Sequence, residues 1–247
     1  MKRIGVGIAC AAIMAAMSAV PASAADLPSA EDVIAKYLDA IGGKDKATSF
    51  KTRVMKGTFN LVDMGMEAGL TMYMAPPNFL NVIELDGMGT ALQGVTDGKA
   101  WQSIEAMGQI GFVEGEEAAG LKQQAELELL ANWNKHFDSA ETVGEETVGD
   151  AECIKVEFTP KEGSPTSYFF DKESGLMVQS VAMAQGMEAV TTVGDYKEVD
   201  GVKIPHALSI GGMMTIEITI ESIENNADIA ADQFAIPEAV AATASGN

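Results

Sequence analysis

Few side chains in this 247-residue sequence are of a type that does chemistry, and their spacing narrows what is open to them. The two histidines, His136 and His206, lie in separate segments with no His or Cys ligand near either in sequence, so spacing assigns them no metal site. His206 follows Pro205 at the start of an alternating stretch and reads as structural or exposed. Cys153 alternates onto the polar side of its strand and has no sequence-local base, which a nucleophilic thiolate would need. No G-x-S-x-G, phosphate loop, H-E-x-x-H or paired-cysteine motif occurs. Carboxylates are abundant, and a charge-rich strand face is ordinarily a solvated one. The sequence therefore names no catalytic residue, no metal ligand set and no cofactor.

Methionine and arginine are more informative. Twelve of the fifteen methionines lie beyond residue 24, including Met64, Met66, Met72 and Met74, the pair Met213 and Met214, and Met183 with Met187. Three roles are open to them: core packing, an adaptable apolar surface for a greasy ligand, or Cu(I) binding at M-x-M pairs. Met66, Met72 and Met74 alternate with polar residues, as lining positions do, which fits copper poorly. Arg53 is the only arginine beyond residue 24 and shares a strand face with Met55, Phe59 and Leu61. A guanidinium on that apolar side either finds a carbonyl or carboxylate acceptor, tying a helix to the sheet, or snorkels out from the strand end.

Two kinds of element must position these residues. Ser29 followed by Glu31 and Asp32 reads as a helix start, and Val33, Ile34, Tyr37, Leu38 and Ile41 recur at helical spacing until Gly42-Gly43. After that the period becomes two. Met66, Ala68, Leu70, Met72 and Met74 share one face; Phe79, Ile83 and Leu85, then Ile154, Val156 and Phe158, then Met214, Ile216, Ile218 and Ile220 behave alike. Asp86-Gly87, Asp97-Gly98, Ser174-Gly175 and Asp200-Gly201 punctuate them as hairpins. One further helix is predicted within Glu116–Trp133, and the tail from 239 to 247 reads as flexible. The expectation is one α+β domain over residues 25–238: an antiparallel meander of about ten strands with two or three helices. Such a sheet either closes as a barrel or curves beneath its helices, leaving an apolar groove. Its candidate lining is Met55, Phe59, Met66, Leu70, Met72, Met74, Phe79, Ile83, Trp101, Ile154, Val156, Met214, Ile216 and Ile218.

The N-terminus sets the compartment. Lys2 and Arg3, an apolar run from Ile4 to Val20 and Pro21-Ala22-Ser23-Ala24 have the order of a secretory signal, with cleavage predicted after Ala24. Cys10 lacks the leucine expected three residues upstream of a lipidated cysteine. The remaining 223 residues hold 14 basic and 36 acidic residues, a net charge of −22, which repels nucleic acid and anionic headgroups. One cysteine remains, so no internal disulfide forms. A soluble, monomeric periplasmic protein is expected.

Several stretches taken in order resemble a known superfamily. They are the helix over residues 30–43 followed by Lys56-Gly57, then Asp97-Gly98-Lys99-Ala100-Trp101. Further on come Tyr168-Phe169-Phe170-Asp171-Lys172-Glu173-Ser174-Gly175-Leu176, Asp195-Tyr196-Lys197-Glu198-Val199-Asp200-Gly201 with Val202-Lys203-Ile204-Pro205-His206, and Asp232-Gln233-Phe234-Ala235-Ile236-Pro237. In this succession the chain resembles the outer-membrane lipoprotein-sorting proteins of the LolA-like superfamily. The resemblance implies a strongly curved, unclosed β-barrel with helices over its mouth, and a cavity for the acyl chains of a lipoprotein or another lipid. It also implies a strand arginine holding the lid, for which Arg53 is the nearest match, and a membrane-bound releasing or accepting protein as partner. The alternative is an envelope sensor on the same scaffold, reading lipid or misfolded proteins and signalling to a membrane partner. The chain is longer and more acidic than the well-known carriers.

Overall fold

The computed structural model describes residues 27–85, 87, 89–184 and 186–244; the predicted signal segment lies outside them. Helix α1 (Ala30–Ala40) starts where the Asp32 backbone N–H donates to the Ser29 hydroxyl at 3.1 Å, and Glu31 and Asp32 meet the positive end of its dipole. It buries the apolar stripe Val33, Ile34, Tyr37 and Leu38. A one-turn helix α2 (Lys44–Ala47) follows.

The first arm of the sheet is a meander: β1 (Arg53–Leu61), β2 (Met66–Ala75), β3 (Asn78–Leu85), β4 (Gly89–Thr96), β5 (Lys99–Ile104) and β6 (Gln109–Phe112). Helix α3 (Gly115–Gln124) and a 3-10 turn (Leu130–Lys135) then lead into the second arm. That arm comprises β7 (Phe137–Val148), β8 (Ala151–Pro160), β9 (Thr166–Asp171), β10 (Met177–Ala184), β11 (Met187–Val199), β12 (Val202–Gly211) and β13 (Ile216–Asn225). All thirteen strands belong to one antiparallel sheet in the order β6-β5-β4-β3-β2-β1-β13-β12-β11-β10-β9-β8-β7. The β1–β13 pair is the seam between the arms, and β6 and β7 are left as edges, so the curved sheet does not close. Thirteen strands exceed the ten or so expected because short, glycine-containing strands such as β4 and β6 carry little alternation to read.

The seam depends on a glycine. A Cβ at Gly57 would fall 1.9 Å from the Thr219 carbonyl oxygen, beside the bulge where Lys56 faces Ser222 and Gly57 faces Ile220.

The two faces of the sheet carry separate cores. The inner face packs under the helices: Met55, Leu70, Met74, Phe79 and Val95 from one arm, Val156, Phe158 and Phe170 from the other, with Tyr37, Leu38, Ala118, Leu121 and Leu130 above them. Edge-to-face contacts link Tyr37 to Phe170 and Trp133 to Phe158, with ring centroids at 5.7 and 5.9 Å. The outer face of the first arm has a smaller core of Leu80, Trp101, Phe234 and Val240.

Two expectations are corrected here. Residues 239–243, expected in a flexible tail, belong to helix α4 (Glu238–Thr243), with Val240 wholly buried against the outer core. The single helix expected within Glu116–Trp133 is two elements joined by a strap of turns and bends, residues 125–129. The Leu127 carbonyl is taken by Arg53 and Asn132 has non-helical φ/ψ, so the helical ladder does not run through. None of the described helices is long and apolar enough to cross a membrane.

Candidate functional site

The register brings most of the predicted lining onto one face. Across β1 and β2, Met55 faces Met72, Gly57 faces Leu70 and Leu61 faces Met66. Leu70 faces Ile83 and Met74 faces Phe79 on β3, while Phe59 faces Ile218 and Leu61 faces Ile216 on β13. Since side chains alternate, Met55, Phe59, Met66, Leu70, Met72, Met74, Phe79, Ile83, Ile216 and Ile218 share the inner face. Ile154 and Val156 join them from the second arm through the aromatic core.

Helices cover only part of this surface. Met55, Leu70, Met74, Phe79, Ile154 and Val156 are buried beneath them. Phe59, Met66, Ile83, Ile216 and Ile218 continue the apolar face beyond the cover and are half-buried. A cleft of about 630 Å³ opens between α3, at Gly120, Gln123 and Gln124, and the inner side of the second arm, at Pro160, Thr166 and Ala182. The Asn81 side-chain oxygen, on the inner face opposite Met72, is buried without a hydrogen-bond partner among the described residues.

Two predicted lining residues lie elsewhere. Trp101 sits on the outer face: Ala100 takes the inward position, and the Trp101 ring lies against Gly94, where a Cβ would come within 2.7 Å of it. Its indole N–H donates to the Thr96 hydroxyl at 3.0 Å, which in turn donates to the Phe234 carbonyl at 2.6 Å. Met214 is at a hairpin tip, because β13 begins only at Ile216 and the Thr215 backbone N–H is held by the Asp63 carboxylate at 2.6 Å.

Arg53 is buried at the near end of β1. Its Nε donates to Asn225 Oδ1 at 2.8 Å and its Nη1 to the Leu127 carbonyl at 3.1 Å, so one guanidinium joins β1, β13 and the strap. Glu128 is the next residue of the strap. Burial pushes its carboxyl up to about 7, against the opposing pull of the Arg53 guanidinium, the Leu130 backbone N–H and the Tyr37 hydroxyl. The Tyr37 hydroxyl is itself pushed well up, by burial and then by Glu128. Glu126, two residues earlier, pairs with Lys135 and His136, both at 3.2 Å. The sequence reading missed Glu128 and Asn225; a lone carboxylate inside Leu127-Glu128-Leu129-Leu130 was the available signal.

The remaining chemistry-bearing side chains are structural. His206 is buried with Nδ1 2.8 Å from the Ile204 carbonyl. Cys153 is fully buried rather than on a wet face, and burial, followed by Asp171, pushes its thiol up. The outer side of β8 is packed there, which alternation alone could not show. Among the described residues no group of three or more His, Cys, Asp or Glu could hold a metal ion.

No protein-family model matches this chain, and no curated protein matches its sequence. Solved structures do match. A DUF1329 family protein from Desulfovibrio piger is 12% identical with a TM-score of 0.58, covering 83% of this chain and 96% of its own. A LolA superfamily protein from Nitrosomonas europaea is 8% identical with a TM-score of 0.58, covering 84% and 98%. At this identity the likeness is one of fold, and the fold is LolA-like: an unclosed, curved antiparallel sheet with few helices.

Proposed function

We propose that this is an exported, non-catalytic binding protein that holds the acyl chains of a lipid or lipoprotein against the inner face of its half-barrel. The observation that carries the proposal is the roof. The cover over a continuous apolar surface is closed by a buried polar latch, Arg53 on the Leu127 carbonyl and Asn225, beside Glu128, and an open cleft runs alongside it. A permanently sealed core gains nothing from such a latch, whereas a roof that lifts needs a specific closed position. In this reading Arg53 is the lid tether.

The energetics favour a long-chain ligand. Each methylene moved from water onto the inner face contributes about 0.8 kcal/mol, so one acyl chain supplies ample affinity. Met55, Met72 and Met74 are unbranched and can re-pack around chains of different length. The acidic exterior keeps a loaded carrier dissolved. The predicted signal, cut after Ala24, places the protein in the periplasm, where a membrane-bound releasing or accepting protein would be its partner, and it acts as a monomer.

The test is extraction of the protein, purified from cell envelopes without detergent, with organic solvent and mass spectrometry of the extract. Stoichiometric acyl-chain species are expected. An extract free of lipid, from a protein that also fails to bind an added fluorescent fatty acid, would contradict the proposal.

A further inference from the structure

Eight large apolar side chains are exposed among the described residues: Val62, Met64, Met107, Val143, Met183, Met187, Met213 and Met214. Val62, Met64, Met107, Met213 and Met214 sit on hairpin tips, and Met183 and Met187 in the last pairs of β10 and β11 beside one. In an antiparallel meander successive turns alternate ends, so the β1–β2, β5–β6, β10–β11 and β12–β13 tips share the rim opposite the one where Arg53 and the strap lie. The β1–β2, β12–β13 and β10–β11 tips follow one another two strand spacings apart, about 10 Å, which an extended methionine on each side largely spans, and the β5–β6 tip lies four spacings from β1–β2. Two of the tips are tied directly, the Val62 backbone N–H donating to the Thr215 carbonyl at 3.0 Å. Exposures of 62% at Met64, 64% at Met107 and 69% at Met213 are far from those of core residues that merely reach the surface.

The charge beside these four tips has one sign; the β8–β9 turn farther along the same rim carries Lys161. No lysine or arginine occurs between Lys56 and Lys99, between Lys99 and Lys122, between Lys172 and Lys197, or after Lys203. These gaps contain all the tips in question. The same stretches supply Asp63, Glu67, Glu105, Glu188 and Glu217.

We propose that this rim is a docking surface for a cationic, amphipathic segment of a partner protein. Flexible thioethers accept an apolar face of loosely specified shape, and the surrounding carboxylates pair with its lysines or arginines. Charge excludes the other occupants: anionic headgroups are repelled, and a second copy of this chain would set like charges against each other. Met183 also lines the cleft beside α3, so the surface is tested only at Met64, Met107, Met213 and Met214, which do not line it, and its failure would leave the lipid proposal standing.

An acidic protein attracts cations everywhere, so the experiment reads location. A synthetic amphipathic leucine–lysine peptide is added to the protein, methionines are oxidised briefly with peroxide, and sulfoxides are mapped by mass spectrometry. Protection of Met64, Met107, Met213 and Met214 is expected. The M64S/M107S/M213S/M214S variant, whose substitutions are all on exposed side chains, should keep the wild-type Tm and bind the peptide at least about tenfold more weakly. Unprotected tips, or undiminished binding by that variant, would overturn the proposal. So would preferential binding of phosphatidylglycerol vesicles, or self-association through the tips that the peptide does not compete away.

Discussion

In the proposed reading, Arg53 and Glu128 decide whether the strap stays down. Arg53→Met keeps the length of the side chain and removes both donated bonds, to Asn225 and to the Leu127 carbonyl. Losing charge-assisted bonds in a buried setting should cost about 2–4 kcal/mol in urea denaturation, with hydrogen-exchange protection of residues 125–135 lost first. Glu128 makes the same region sensitive to pH. Its carboxyl titrates near 4.5 in an unfolded chain and near about 7 when folded. The folded state therefore keeps a proton that the unfolded chain releases, and the resulting stability is full below about pH 4.5 and is lost as pH rises through about 7. Partial solvent access limits the effect to ~3 kcal/mol at most. Glu128→Gln should flatten this component, and the variant should be the more stable protein at about pH 8 while the difference shrinks towards pH 5. An unchanged pH profile in Glu128→Gln would remove Glu128 from the account.

At the scale of elements, two joints matter most: the β1–β13 seam and the C-terminal cover of the outer face. With a Cβ at Gly57 falling 1.9 Å from the Thr219 carbonyl, Gly57→Ala must push the strands apart. A loss of about 1–3 kcal/mol is expected, seen as a lowered thermal midpoint. Val240 is wholly buried in the outer core, and Val240→Asp should release residues 231–244 and expose Trp101, with a red shift in tryptophan fluorescence. Period-two alternation in the sequence was enough to place Met55, Leu70, Met72, Met74, Phe79 and Ile218 on one face, because each strand's register follows from a short hairpin. It could not say which face a strand's large residue chooses when both are packed. That is why Trp101 and Cys153 were misplaced, and why a tail of small residues gave no sign that it covers a second core. The break at residues 125–129 was invisible for a related reason: the apolar spacing of Leu121, Ala125 and Leu129 suits a continuous helix, whereas the bond that takes the Leu127 carbonyl comes from Arg53, 74 residues away in sequence.

The whole molecule is a half-barrel with the proposed latch at one end and a rim bearing methionine-rich, acidic tips at the other. The sheet of thirteen strands stays unclosed, with β6 and β7 as its edges; the one-sided apolar pattern left closure or curvature open, and the resemblance to the LolA-like superfamily implied the unclosed form. The proposed function rests on what the inner face takes up, since the sequence carries no motif for chemistry to decide it. Photo-crosslinking with a diazirine-bearing fatty acid, followed by peptide mapping, tests this most directly. The account predicts labels on Phe59, Met66, Ile83 and Ile218 and along the cleft at Pro160 and Ala182, competed by unlabelled fatty acid. Labels confined to the outer face around Leu80 and Tyr73, or none that competitor removes, would contradict it.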